Sequence, residues 1–265
     1  MPRHTAPDSK RAMSVLENLG DGVWWAGCFA RGPFDGVHGG IVTTAMMAEM
    51  EKAAPEGLRP LAVRTDFLRP TPLGSVLQVR VQPVRVGRRT ALFDAHLEVD
   101  GVVTARCTMT FAGETRISTL EADYASDPAP PDRDPQDLPR RNVGVSHGES
   151  WLLDVLDPRL AEDGGVWFRW TMPVIPMASA FLAAIAPADT LHGMARPGLP
   201  GPAPVAGYPN TDLAIHFTRE PRGEWIGVRP VTRWQKTGIG IGFGDLVDLD
   251  GTFGHAAMGV VLLPF

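Results

Sequence analysis

Apolar and polar residues alternate with a period of two along several stretches of this chain, the pattern of strands buried on one face. Val79 and Val81 stand between Gln78, Arg80 and Gln82 within the run Val76 to Val86. Ala91, Phe93, Ala95, Leu97 and Val99 alternate with Asp94, His96, Glu98 and Asp100. The pair Asp100-Gly101 leads to Val103, Ala105, Cys107, Met109 and Phe111, which alternate again, so it reads as a tight hairpin. Two further strands are predicted over Val23 to Phe29 and Leu61 to Leu68, the second running into the turn Arg69-Pro70-Thr71-Pro72-Leu73-Gly74. The stretch Ile41 to Met50 is different: it is apolar nearly all round and carries no charge until Glu49, which predicts a helix inside the fold. Pro55 and Gly57 end it. Asp8 and Ser9 predict the cap of a short N-terminal helix through Leu19, closed by Gly20.

The pattern fades from Ser118 to Arg141, where Asp-Pro-Ala-Pro-Pro-Asp-Arg-Asp-Pro reads as a polar, proline-rich linker. It then returns. Gly165 to Thr171 is a predicted strand, Met172 to Ala188 a second buried helix, and Arg196 to Pro209 a Pro/Gly loop. The late strands keep the register of the early ones. Phe67-Leu68-Arg69-Pro70 is echoed by Phe217-Thr218-Arg219-Glu220, and Asp100-Gly101 by Asp250-Gly251, both at an offset of 150 (217 − 67 and 250 − 100), while Gly74 and Gly223 stand 149 apart. A constant offset over so many residues points to an internal repeat of one helix-and-sheet unit; chance likeness of two antiparallel sheets is the alternative. Each unit alone has exposed sheet edges, and two in one chain can join edge to edge. The expected organisation is a unit over 1–117, a linker over 118–148 and a second unit over 149–265.

With 265 residues, 44% of them hydrophobic and 21% charged, the chain has ample length and ordinary composition for a globular core. A net charge of −5 argues against a general nucleic-acid binder. Cys28 and Cys107 are the two cysteines, too few for a disulfide framework, and they fit a reducing compartment. Met1 to Lys10 lacks the apolar core of a signal peptide, and the run from Met172 to Ala188, broken by Pro173, Pro176 and Pro187, is too short to span a bilayer. The expected setting is the cytoplasm, with no membrane partner.

Two familiar motifs lack their context. Gly144-Val145-Ser146-His147-Gly148 matches the nucleophile elbow of serine hydrolases, but a linker precedes it rather than a buried strand. Gly238-Ile239-Gly240-Ile241-Gly242-Phe243-Gly244 resembles a dinucleotide loop, yet its glycines alternate with apolar residues and strand follows. That stretch reads as a strand with one bare face, either tightly packed on a helix or leaving room for an acyl chain. The histidines show no metal-ligand spacing, so no metal and no cofactor is expected, and His216 reads as structural.

Gly32-Pro33-Phe34-Asp35-Gly36-Val37-His38-Gly39-Gly40 feeds straight into the first buried helix. His38 either bonds within the turn or touches a substrate. Gly39 and Gly40 are expected to leave the first backbone N–H groups bare at the positive end of the helix dipole, where they suit an oxyanion. Val37-His38-Gly39-Gly40, Asp66-Phe67-Leu68-Arg69-Pro70, the run Thr211 to Arg219, Gly223-Glu224-Trp225 and Asp250-Gly251 together resemble the double hot-dog acyl-CoA thioesterases, and among them the acyl-CoA thioesterase II-like group. The resemblance covers roughly Trp24–Phe111 and Trp167–Phe265. It implies an α+β fold of two tandem hot-dogs, each an antiparallel sheet wrapped around a buried helix. It also implies hydrolysis of an acyl-CoA to acid and coenzyme A, and a homo-oligomer.

That chemistry requires donors for the oxyanion, worth about 10²–10³ in rate each, and a group that orients and deprotonates water, worth about 10²–10⁴. His38, Gly39 and Gly40 are the candidates for the first. For the second, the resemblance places an Asp at the end of the second buried helix, a Thr at the start of the next strand and a Gln on the last strand. These positions fall on Asp189, on Asn210 with Thr211 beside it, and on Gly259, which has no side chain to offer. Other hot-dog thioesterases carry an acid on the first helix, near Met47 here, with Glu49 two residues on. The expected activity is hydrolysis, or binding, of an acyl thioester in the cleft between the halves. The alternatives are a non-hydrolytic acyl-CoA or small-molecule binder and a biosynthetic hot-dog enzyme. A dehydratase is disfavoured because no acid is evident to pair with His38. Arg64, Arg69, Arg85, Arg88, Arg89, Arg219, Arg222 and Arg233 are the candidate cations for coenzyme A phosphates.

Overall fold

The structure is a computed structural model that describes residues 13–120, 134–141, 150–194 and 205–265. In chain order the elements are β1 (Leu16–Gly20), β2 (Val23–Ala26), α1 (Gly39–Ala53), β3 (Leu58–Phe67), β4 (Val76–Val86), β5 (Thr90–Val99) and β6 (Val102–Gly113). There follow β7 (Leu156–Leu160), β8 (Val166–Trp170), α2 (Ala180–Asp189), α3 (Leu191–Met194), β9 (Asp212–Phe217), β10 (Ile226–Trp234), β11 (Ile239–Asp248) and β12 (Gly251–Val261). All twelve strands lie in one sheet, ordered β1-β2-β4-β5-β6-β3-β9-β12-β11-β10-β8-β7, and every neighbour pair is antiparallel. This is the tandem hot-dog arrangement.

The order reads as a palindrome about the β3–β9 junction. Each strand of the first half has its counterpart at the mirrored place in the second. The register carries the repeat further: Arg64 pairs with Ala214, and 214 − 64 is the offset of 150 seen in the sequence. On either side Ala62 pairs with His216 and Asp66 with Asp212, two pairs that the same offset exchanges. The approximate two-fold axis therefore passes through the Arg64–Ala214 pair. Joining β3 to β9 also covers the edge that each half would otherwise expose.

Inside the sheet, α1 and α2 pack on one another, and a single apolar cluster runs through both halves. Ile41, Val42, Ala45, Met46, Met47, Ala48 and Met50 of α1 are all buried, as an all-round apolar helix requires. On β5 the alternation Ala91, Phe93, Ala95, Leu97, Val99 is the buried face.

Three sequence expectations change. The N-terminal helix is not formed at its described end: Leu16–Gly20 is a strand paired with β2 through a turn at Asp21-Gly22, whose φ values are 48° and 73°. The strand at Val23 stops at Ala26 and gives way to a 3₁₀ turn over Cys28–Ala30. The second buried helix begins only at Ala180, capped by Ser179. Pro173 and Pro176 disfavour helix in the residues just before them, and Met177 takes a left-handed φ of 55°. The Gly144–Gly148 motif and most of the 118–141 linker lie outside the described residues.

Because α1 and α2 run against each other, each helix start meets the other's end. At one junction Ser179 Oγ donates to Glu51 Oε1 at 3.0 Å. Burial pushes the Glu51 carboxyl up to about 7; the Ser179 bond opposes this, and Glu220 adds to it. Between pH 4.5 and 7 the folded chain keeps a proton that the unfolded chain has lost, so stability falls as pH rises through that window. Glu51→Gln is expected to stabilise the protein by about 1–2 kcal/mol at pH 8 and by nothing at pH 4. Urea unfolding at the two pH values measures this, and an equal effect at both contradicts it.

Candidate functional site

The opposite junction, where the start of α1 meets the end of α2, brings together residues that are about 150 apart in sequence. His38 is the N-cap of α1, and Asp189 is the last residue of α2. Asp189 Oδ2 accepts from the backbone N–H of Gly40 at 2.6 Å and lies 3.1 Å from His38 Nδ1. Asp189 Oδ1 accepts from Asn210 Nδ2 at 2.8 Å, and that amide also donates to the Asp212 carbonyl at 3.1 Å. Asp189 is 2% exposed and His38 9%. A buried carboxylate at the negative end of its own helix is doubly unfavourable. Hydrogen bonds from the Gly40 N–H and the Asn210 amide, with the positive end of α1, offset this.

The glycines serve this contact. A Cβ on Gly40 would stand 2.6 Å from Ala186 Cα and 3.0 Å from Asp189 Cβ. On Gly39 it would meet Phe67 at 2.7 Å and Asp189 Oδ2 at 2.9 Å. The Gly40 N–H, expected to be bare, is thus occupied by Asp189. The Gly39 N–H has no partner among the described residues. The end of α2 is held by a substitution of donors: Pro187 has no N–H for the Ala183 carbonyl, and Trp170 Nε1 donates to that carbonyl instead, at 2.9 Å.

Gly40 N–H donates to Asp189 Oδ2 at 2.6 Å and also to His38 Nδ1 at 3.1 Å, the bond that caps α1. A proton on Nδ1 would face Asp189 Oδ2, 3.1 Å away, and leave Nε2 with its lone pair. Burial lowers the His38 pKa below 6.5, with Asp189 partly opposing, so the ring is neutral at pH 7. The expectation that no acid would stand beside His38 does not hold, because its partner is supplied by the other half.

His38 and Asp189 line a narrow cavity of about 60 Å³ with Trp151, Leu153, His192 and Tyr208. His192 was not anticipated. It sits three residues after Asp189 on α3, is 6% exposed, and its Nδ1 is fully enclosed with no hydrogen-bond partner meeting strict geometry among the described residues. Burial, helped by the neighbouring His38, pushes its pKa down to about 4, against the Asp189 carboxylate and the hydrogen-bonding pull of the Asp189 and Tyr208 backbone carbonyls. The Asp-x-x-His spacing at a helix end was its one sequence signal. The glycine-alternating strand is tied to it: a Cβ on Gly242 would lie 2.8 Å from His192 Cβ, so the bare face of β11 packs on α3.

Thr211 does not join this group. It is exposed, and its hydroxyl bonds Asp212 Oδ1 at 3.2 Å and the Gly259 carbonyl at 3.4 Å. The Gly259 N–H donates to Asp212 at 2.9 Å. Glu49 faces away, accepting from Trp24 Nε1 and Lys52 Nζ. Of the candidate phosphate-binding arginines, Arg219 is tied to Asp248, Arg222 to Asp250 and Arg64 to Asp66, while Arg69, Arg85, Arg88 and Arg89 are exposed.

Comparison with known proteins agrees with this architecture. Residues 30–112 match the family of the acyl-CoA thioesterase N-terminal domain. No curated protein matches the chain. Among solved structures, acyl-CoA thioesterase II TesB2 from Mycobacterium marinum is similar at 19% identity and a TM-score of 0.70, covering 94% of this chain and 96% of that one. The tesB protein of Mycobacterium avium subs paratuberculosis is similar at 15% identity and 0.70, covering 94% and 96%. A hot dog fold protein of unknown function from Alicyclobacillus acidocaldarius gives 20% and 0.70, covering 96% and 97%. Residues 30–112, which include His38, Gly39 and Gly40, thus match the acyl-CoA thioesterase N-terminal domain family, within a chain whose whole fold is similar to that of the double hot-dog proteins above.

Proposed function

We propose that this protein is an acyl-CoA thioesterase in which His38 acts as general base and Asp189 positions it across the junction of the two hot-dogs. The observation that carries the reading is the His38–Asp189 contact at the start of α1, lining a cavity, in a domain of thioesterase family. A water hydrogen-bonded to His38 Nε2 gives up a proton as its oxygen attacks the thioester carbonyl carbon. Negative charge gathers on the carbonyl oxygen, where the Gly39 N–H and the positive end of α1 stabilise it. Collapse breaks the carbon–sulfur bond, and the proton held on His38 goes to the departing thiolate, giving acid and coenzyme A. Asn210 acts at one remove by holding the second carboxylate oxygen of Asp189. Thr211 has no part in the chemical step.

The same proposal takes the units as 1–117 and 149–265 with 118–148 between them, the setting as cytoplasmic, and the protein as a homo-oligomer. Support for the setting comes from Cys28 and Cys107, both free thiols. No described helix is long and apolar enough to cross a membrane. The test is release of coenzyme A thiol from butyryl-CoA by the purified protein: turnover that saturates with substrate is expected, and none above the buffer rate overturns the reading. A dehydratase is the second reading, favoured by the same histidine–carboxylate pair. It would form an enoyl thioester from a hydroxyacyl-CoA and release no thiol.

A further inference from the structure

The glycine-alternating strand β11 has a second face, which the site does not use. Its glycines turn inward, Gly242 against α3, so Ile239, Ile241 and Phe243 point out of the sheet. Ile239 is 64% exposed and Ile241 44%, and on the neighbouring strand Val261 is 41% exposed. Beside them Ala257 and Gly259 of β12 and Ala214 of β9 leave a hollow of about 400 Å³. The corresponding face of the first half is different. There β5 and β6 turn Asp94, His96, Arg106 and Thr108 outward, and Asp94 accepts from Thr108 Oγ1 at 2.8 Å. One half thus shows water a polar outer face and the other an apolar one, the mark of a surface that is covered.

We infer that this face binds a second copy of the chain about a two-fold axis parallel to β11 and β12. Such an axis, lying between two stacked sheets, keeps the height along the strands and sets β11 of each copy over β12 of the other. Residues that pair across β11 and β12 within one sheet then meet between the copies. Those pairs are matched in size and sign: Ile241 with Gly259, Phe243 with Ala257, and Asp245 with His255. At the margin Ile239 meets Val261. Each projecting side chain of one copy finds a small residue or a hollow in the other, and each acid a histidine. The match occurs twice over, as an isologous contact requires. The next strands continue it, because β10 lies over β9 and sets Val231 opposite Ala214 and Arg233 opposite Asp212. Arg229, opposite His216 at the end of the face, keeps its own acid, Asp163, at 4.0 Å. Packed sheets cross at about 30°, so the levels agree best at the centre, near Ile241 and Phe243. A face five strands wide, from β10 to β3, and ten residues long covers about 800 Å² at ordinary strand spacing, one partner's share of a stable interface. The inference rests on the proposed function only for the homo-oligomer, to which it gives a surface; the chemistry at His38 is separate from it.

Sedimentation velocity with light scattering on the purified full chain is the test. Wild type is expected to be a dimer at about 10 µM, twice the 28.6 kDa of one chain. Ile241→Glu, at an exposed position, should raise the dissociation constant at least about tenfold. Gly259→Ile should do the same by filling the hollow. Gly259→Ile combined with Ile241→Gly, which exchanges the projecting and receiving positions, should recover most of the loss. If Gly259→Ile does not fold, Arg233→Glu, set against Asp212, takes its place. A dimer unaffected by Ile241→Glu, or a double variant no tighter than Gly259→Ile, overturns this face and leaves the homo-oligomer standing. A wild type still monomeric at about 100 µM overturns both; sedimentation of that monomer with phosphatidylcholine vesicles would assign the face to lipid. Thiol release from butyryl-CoA is read on the same samples, so a dimer that behaves as expected but releases no thiol overturns the hydrolase alone.

Discussion

Asp189→Asn is expected to lower kcat for thioester hydrolysis by about 10²–10⁴ with little change in KM, the range seen when the base of a hydrolytic site is lost or left in the wrong tautomer. The reason lies in the three contacts of one carboxylate. Oδ2 faces His38 Nδ1 at 3.1 Å and takes the Gly40 N–H, and Oδ1 takes the Asn210 amide. An asparagine of the same shape has one acceptor where these contacts need two. Whichever way its amide turns, either Gly40 and His38 or Asn210 faces a donor. His38 then gains from placing its proton on Nε2, where water must be deprotonated. Asp189 acts through His38, so kcat is expected to carry the loss. A fold check by circular dichroism should show the variant intact, and a kcat within threefold of wild type contradicts the role given to Asp189.

Asp248→Ala is expected to remove about 3 kcal/mol of stability, since truncating one partner of a buried ion pair strands the other. Asp248 is 0% exposed at the end of β11. Its carboxylate receives both terminal nitrogens of Arg219, at 2.5 and 2.7 Å, the Arg222 N–H at 2.8 Å and the Asp250 N–H at 2.9 Å. Burial alone would raise its pKa, but the Arg219 bond and the two backbone donors outweigh it and hold the carboxyl below 3.8. Its stabilisation is thus complete above that value and fades as pH falls through the depressed one. Urea unfolding at pH 7 should show the loss, and Asp248→Asn, which keeps an acceptor for part of the network, should lose less. A deficit under 1 kcal/mol for the alanine variant contradicts this account. At the position 150 earlier, Glu98 makes a looser 3.4 Å contact with Arg80 in place of this clasp.

These two carboxylates mark what the sequence could and could not disclose. Strands with clean alternation were legible to the residue, as with Val76–Val86, and the Asp100-Gly101 turn has the positive φ values, 49° and 78°, that its sequence demands. The offset of 150 reappears as the Arg64–Ala214 pairing because a repeat fixes register as well as fold. The N-terminal strand was missed although Asp21-Gly22 gave the same turn signal, because a capping pattern upstream suggested a helix. In the second helix, the apolar run from Met172 did not decide the boundary. Two prolines did.

At the site, His38, Gly40, Asp189 and Asn210 were each identifiable, but their meeting was not. Nothing local says that a histidine before one helix faces the last residue of another helix some 150 positions away. That contact comes from antiparallel packing of α1 on α2, and it takes the Gly40 donor that the turn seemed to offer an oxyanion. His192 escaped notice because its place on the cavity wall comes from the packing of α3 on β11, which no local pattern shows.

The most direct test of the whole account is the pH dependence of kcat for butyryl-CoA hydrolysis, measured from pH 4.5 to 8 on wild type and His38→Gln. Wild type should hold a plateau near neutrality and fall tenfold per pH unit below a midpoint under 6.5, as the buried His38 gains its proton. His38→Gln should lie about 10²–10⁴ below the plateau and show no such limb. Equal rates in the two proteins, or an acid limb that survives the substitution, would contradict a base at His38.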